Sequence, residues 1–214
     1  MYFLDTSVIV GYLYAVQDFD YGITSDDLDP FVTHADAFFK FLGNNRSVVI
    51  SKFTKRTELP NILTIIDLRF ELLIDTLNQK TINYNKYDSR TKNWVHEITS
   101  KSRYVDKTSL ANEFFEVQSD VENRLAYFQK TFVNEIFNDY DYPVRKLIER
   151  TAIHYPDSVI YATCLHYNAT KNPPNLVFIS CDNTLVETQI SDISEDKLVP
   201  RITLVNFCQD NHLL

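Results

Sequence analysis

Three short apolar runs set the strongest limit on how this chain can fold: Tyr2-Phe3-Leu4, Val48-Val49-Ile50 and Leu176 to Ser180. A strand with one wet face alternates apolar and polar residues, whereas a run that is apolar throughout is covered on both faces. The segments between them carry helical spacing instead. Ser7–Val16 reads as a helix with Thr6 or Ser7 as its cap, and 17–29 as an acidic loop. Pro30 opens a second helix through Phe31, Ala35, Phe38, Phe39 and Leu42, ended by Gly43-Asn44-Asn45. A further helix is expected from Thr54 to Asn78, with a break near Pro60.

Residues 79–107 are polar and read as a loop or irregular insertion. The longest helical pattern covers 108–139, through Leu110, Phe114, Val117, Val121, Leu125, Phe128, Phe132 and Ile136. Val144–Ile153 is a short helix, Pro156-Asp157 opens one to Tyr167, and Ile202–Asn206 reads as a last strand. Strands that alternate with helices and are apolar on both faces imply an α/β fold with a mostly parallel sheet covered by helices. The expectation is one domain over 1–214, with a helical insertion at about 79–140. In such a sheet the ligand site lies beyond the carboxyl ends of the strands.

Composition removes several function classes. The chain of 214 residues has 21 Lys plus Arg against 29 Asp plus Glu, a formal charge of -8. That excludes gripping nucleic acid through bulk positive charge, but not holding cations with carboxylates beside a phosphate. Only three glycines are present, and Gly11, Gly22 and Gly43 cannot spell a glycine-rich phosphate loop. Cys164, Cys181 and Cys208 share no metal-site spacing, which fits a reducing, cytoplasmic setting. The apolar run from Val8 to Val16 is too short to span a membrane and has no basic residue before it, so a soluble protein without a membrane partner is expected.

Two carboxylates stand where the sheet rule points, and two more stand in early helix turns. Asp5 follows the first strand directly, and Asp182 follows the Leu176–Ser180 strand by two residues. Asp157 is in the first turn of its helix, and Glu58 in the first turns of the helix after Val48–Ile50. Gathered on one rim, they would repel each other unless a cation is shared. Hard oxygen ligands select Mg²⁺ or Mn²⁺, which activate water and neutralise a phosphodiester. Each acid also has a plain use: Asp5, Asp157 and Asp182 can cap helices, and Glu58 can be a solvated surface residue, with Glu71, Glu97 and Glu113 as the alternatives to it.

Leu4-Asp5-Thr6-Ser7-Val8-Ile9 resembles the first motif of PIN-domain nucleases, which include toxins of the VapC type. Ser51 through Glu58-Leu59 resembles the second motif, Asp157-Ser158-Val159-Ile160-Tyr161-Ala162 the third, and Phe178-Ile179-Ser180-Cys181-Asp182 the fourth. The resemblance covers 1–60 and 145–206, and leaves the middle unexplained. It implies a three-layer α/β/α fold and an endoribonuclease dependent on Mg²⁺ or Mn²⁺. Asp5, Glu58, Asp157 and Asp182 would then be the metal-binding, catalytic acids. Ser180, in place of the commoner Thr, and Thr6 or Ser7 would orient ligands or water. The resemblance also implies an RNA substrate, single-stranded or structured, an antitoxin protein or RNA-processing role, and a homodimer. A catalytically weak PIN-like binding module is the alternative. A phosphatase of the haloacid dehalogenase kind needs Asp-x-Asp after strand one, and here Ser7 takes the second place.

Basic residues are concentrated. Residues 40–57 hold Lys40, Arg46, Lys52, Lys55 and Arg56 with no acid, and residues 79–107 hold seven basic residues against three acids. Both are solvated faces or phosphate-binding flanks; Lys52, Lys55 and Arg56 are the nearest in sequence to Glu58. Trp94 falls in the polar stretch, where it either packs locally or faces a partner.

Overall fold

The computed structural model describes residues 1–14, 32–101 and 107–214. The expected acidic loop at 17–29 and the Pro30 helix start lie outside these residues, as do the side chains of Trp94, Glu97 and Glu113. Five strands form the sheet: β1 (Tyr2–Leu4), β2 (Val48–Ser51), β3 (Val133–Phe137), β4 (Val177–Ser180) and β5 (Arg201–Thr203). Their order is β3-β2-β1-β4-β5, and every pairing is parallel. The sheet is thus wholly parallel rather than mostly so.

The helices are α1 (Thr6–Tyr14), α2 (Val32–Leu42), α3 (Leu59–Leu77), α4 (Ser89–Lys101), α5 (Lys107–Thr131), α6 (Tyr142–Ile148), α7 (Asp157–Lys171), α8 (Asn183–Glu187) and α9 (Leu204–Asp210). Alternation within the strands divides the core. Leu4, Val48, Ile50 and Ile179 join buried residues of α1, α2, α3, α5 and α9, among them Val8, Phe38, Phe39, Phe70 and Phe128. Phe3, Val49 and Phe178 join Ile148 of α6 with Ile160, Tyr161 and Cys164 of α7. Each face of the sheet therefore has its own apolar layer, as unbroken apolar strands require.

Element ends follow local chemistry. Gly43, at φ +57, closes α2 in the left-handed conformation that glycine adopts without cost. Asn172, at φ 46, does the same for α7, and Pro173-Pro174 follows. The Asp141 carboxylate accepts from Val144 N and caps α6. Pro60 sits in the first turn of α3, where its missing N–H is not needed, so it starts this helix rather than breaking it.

Four expectations need correction. The helix expected over 108–139 ends at Thr131, and Val133–Phe137 is β3. Phe128, Phe132 and Ile136 continue the helical spacing into it, which disguises the change. As an edge strand with Asn134 and Glu135, β3 also lacks the unbroken apolar run of its neighbours. The expected loop at 79–107 contains α4, whose first turn is capped by Asp88 Oδ1 on Thr91 N at 2.6 Å. The expected strand at Ile202–Asn206 is split: β5 stops at Thr203, whose side chain accepts from Asn206 N and starts α9. The helix expected at Val144–Ile153 runs instead from Tyr142 to Ile148. Among the described residues no helix is long and apolar enough to cross a membrane.

Candidate active site

The chain leaves β1 to build β2 and β3 on one side, then returns to build β4 and β5 on the other. The reversal falls between β1 and β4, which is where parallel sheets open a crevice at their carboxyl ends. Asp5 leaves β1 at that point, with its N–H on Ile179 O at 3.0 Å. Asp182 lies just past β4.

Asp5 is only 5% exposed. Ser180 Oγ donates to its Oδ2 at 2.8 Å, and Ser7 Oγ donates to the same oxygen. Both hydroxyls in turn accept backbone N–H groups, Ser180 from Asp182 and Ser7 from Cys181, each at 3.0 Å. A hydroxyl has one proton, so the strand-exit amides fix both protons onto Asp5. Burial raises the Asp5 pKa, opposed by these hydroxyls and by the Thr6 and Ser7 amides.

The second cluster lies at the exit of β2. Ser51 Oγ accepts from Thr54 N at 2.8 Å and bonds Thr54 Oγ1 at 2.9 Å. Thr54 is fully buried, and its hydroxyl lies 3.1 Å from Thr6 Oγ1, which bonds Glu58 Oε2. Residues Thr54–Glu58 form a π-helical turn closed by Leu59 N–H on Thr54 O. The wider turn gives Glu58 a different angle from that of a plain α-helix, and such turns are frequent at functional sites. Burial, then the charges of Asp5 and Asp157, push Glu58 up to about 7 against the Thr6 hydrogen bond.

Asp157 opens α7. Burial, then the charges of Asp5 and Asp182, push its carboxyl up to about 6. Asp182 caps α8 through Oδ1, which accepts Thr184 N at 2.7 Å. The four acids expected from the sequence are therefore electrostatic neighbours: Asp5 acts on both Glu58 and Asp157, and Asp182 on Asp157. Thr6, Ser7 and Ser180 are hydrogen-bonded within this set. The sequence reading missed Ser51 and Thr54. Their signal is a Ser-x-x-Thr at a strand exit with Thr54 four residues before Glu58.

Among the described residues, no three His, Cys, Asp or Glu side chains stand close enough together to enclose one metal ion. Mg²⁺ seldom needs such a cage; it is usually held by one or two carboxylates with waters and substrate phosphates completing its shell. A set made only of carboxylate and hydroxyl oxygens, with the proton affinity of Glu58 and Asp157 raised by burial and by neighbouring carboxylates, fits a hard divalent cation.

Lys55 and Arg56 are exposed on the π-helical turn, and Lys52 is half-buried just before it. None of the three forms an ion pair among the described residues. In the other basic segment, Lys80 pairs with Asp75 and Lys86 with Glu71, both on α3. No family model, curated protein or solved structure matches the chain.

Proposed function

We propose that the chain is a PIN-like, Mg²⁺- or Mn²⁺-dependent endoribonuclease. The observation that carries this reading is that Asp5, at the switch point of a parallel sheet, lies close enough to Glu58 and Asp157 to raise the proton affinity of both. Buried acids whose proton affinity is raised further by neighbouring carboxylates spend stability unless a cation relieves them, and such perturbed groups in a cleft mark functional sites. The sheet order, the positions of Asp5, Glu58 and Asp182 after their strands and of Asp157 at a helix start, and the Ser180 and Thr6 hydrogen bonds support the family resemblance.

Asp5, Asp157, Asp182 and Glu58 would hold the ion. A bound Mg²⁺ or Mn²⁺ supplies Lewis-acid activation of water and neutralises charge on the phosphodiester. The chain's own groups do the rest. Ser7 and Ser180 fix the Asp5 carboxylate, leaving Oδ1 outside their bonds. Thr6 fixes Glu58, which at about 7 can take or release a proton near neutral pH. Lys52, Lys55 and Arg56 offer unpaired positive charge to the phosphate backbone. The products expected are a 5′-phosphate and a 3′-hydroxyl.

The lack of a tight three-acid cluster among the described residues favours a second reading, a binding module with weak or no catalysis. Titrating Mn²⁺ into the protein by calorimetry separates the two. The nuclease reading expects heat of binding that is lost in Asp157→Asn and Asp182→Asn. No uptake by the wild-type protein supports the binding module.

A further inference from the structure

An aromatic ledge borders the acid site and takes no part in the reading above. Tyr155 lies two residues before Asp157, and Tyr142 opens α6. They are 60% and 57% exposed, among the most water-facing large side chains described. Phe53, the residue before Thr54, meets the Tyr155 ring edge-to-face with centroids 5.6 Å apart. The ledge is thus joined by chain adjacency to both the β2 exit and the first turn of α7.

One cation organises it. The Arg145 guanidinium lies 5.7 Å from the Tyr155 ring centre, 5.8 Å from Tyr142 and 5.9 Å from Tyr140. Lys146 lies 5.4 Å from the Tyr142 ring centre. Glu149 holds Arg145 at 2.6 Å and Lys146 at 2.7 Å, and also accepts Ser158 Oγ at 3.0 Å, next to Asp157. The rings are therefore held in place relative to α7 before any ligand arrives, which lowers the ordering cost of binding.

Packing alone does not account for this arrangement. Arg145 is already satisfied by Glu149, yet two of its rings leave more than half their area to water. Rings that carry a cation over them and still leave more than half their area to water suit an unpaired base whose phosphates lie towards positive charge. Lys52, next to Phe53, and Lys55 and Arg56 extend that charge towards Glu58. A duplex has no free base faces to offer.

We propose that Tyr142 and Tyr155, set by Arg145 and Phe53, stack unpaired bases of single-stranded RNA beside the carboxylate site. This rests on the nuclease reading for its choice of ligand. It adds that the substrate is single-stranded where it meets the protein.

The test is fluorescence anisotropy of the full chain with a short labelled single-stranded RNA and the same sequence as duplex, in chelator so that no cleavage occurs. Stacking is worth ~1–3 kcal/mol per base, so Tyr155→Ala and Tyr142→Ala should each weaken single-strand binding roughly 5- to 150-fold. Tyr155→Phe and Tyr142→Phe should stay near wild type, and circular dichroism should show all variants folded. Equal affinity of wild type and the double alanine variant overturns the ledge. So does duplex binding as tight as single-strand binding, or no strand binding at all. Calorimetry with Mn²⁺ reports separately on the acids: metal uptake with indifferent tyrosine variants sinks the ledge and keeps the nuclease, and the reverse pattern keeps the ledge alone.

Discussion

Thr6, the first residue of α1, gives its hydroxyl to Glu58 across 52 positions of sequence and so ties the exit of β1 to the exit of β2. Thr6 has one proton, so with that proton on Glu58 the 3.1 Å contact to Thr54 is made with the Thr54 proton. Ser51, Thr54, Thr6 and Glu58 then form one chain of bonds that ends on a carboxylate.

Thr6→Val keeps the shape and removes this anchor. Because the Thr6 bond holds the Glu58 pKa down, the variant's pH–rate profile should move to higher pH. Divalent affinity should fall ~10- to 100-fold, the usual cost of losing an orienting partner. Mn²⁺ calorimetry and a pH–rate profile measure both. An unchanged profile would mean that Thr6 only packs.

Asp182 both caps α8 and faces Asp157, and these roles separate by substitution. Asn caps as well as Asp, so Asp182→Asn should melt close to wild type while losing metal binding. Asp182→Ala should lose metal binding and ~1 kcal/mol of stability as well. Equal metal affinity in wild type and Asp182→Asn would reduce Asp182 to a cap.

Ser180 is fully buried between Asp5 and the Asp182 amide. Ser180→Ala leaves a buried acceptor short of a donor and an amide without a partner. The expected cost is ~1–3 kcal/mol. For a chain of this size that is a drop of ~2–4 °C in melting temperature per kcal/mol. Thermal unfolding followed by circular dichroism reads it, and an unshifted melt would contradict the hydrogen-bond account of Asp5.

The raised acids make stability depend on pH and metal together. Glu58 moves from 4.5 unfolded to about 7 folded, and Asp157 from 3.8 to about 6. The folded chain binds more protons between those values, so without metal its stability should fall as pH rises from about 4 to about 7. Mg²⁺ or Mn²⁺ competes with those protons and should stabilise more at pH 8 than at pH 5. At a hundredfold excess over Kd the gain is ~2.7 kcal/mol. A melting temperature indifferent to metal at both pH values would contradict cation relief.

The sequence discloses those parts of the fold whose environment is uniform. β1, β2 and β4 are buried on both faces, so their runs are apolar and unbroken, and the acids at their ends follow from chain order alone. β3 is an edge strand with a register shift against β2, so its composition carries no such mark. β5 passes into α9 without a break, and Thr203 serves as strand end and helix cap at once. Asp5, Glu58 and Asp182 were legible from their positions after apolar strands, and Asp157 from its place in the first turn of its helix. Ser51 and Thr54 were not, because a buried hydroxyl network depends on contacts between distant strands, and Ser and Thr are common at turns.

The proposed metal-dependent hydrolysis at the Asp5 rim is read most directly on RNA itself. Single-stranded RNA incubated with Mn²⁺ or Mg²⁺ should be cut by the wild-type chain into products with 5′-phosphate and 3′-hydroxyl ends. Asp5→Asn, checked for folding by circular dichroism, should be slower by ~100-fold or more, as when a group aimed at the reacting centre is lost. If the wild type cuts RNA no faster than Asp5→Asn with either ion, and single-stranded DNA also survives, the chain is not this nuclease.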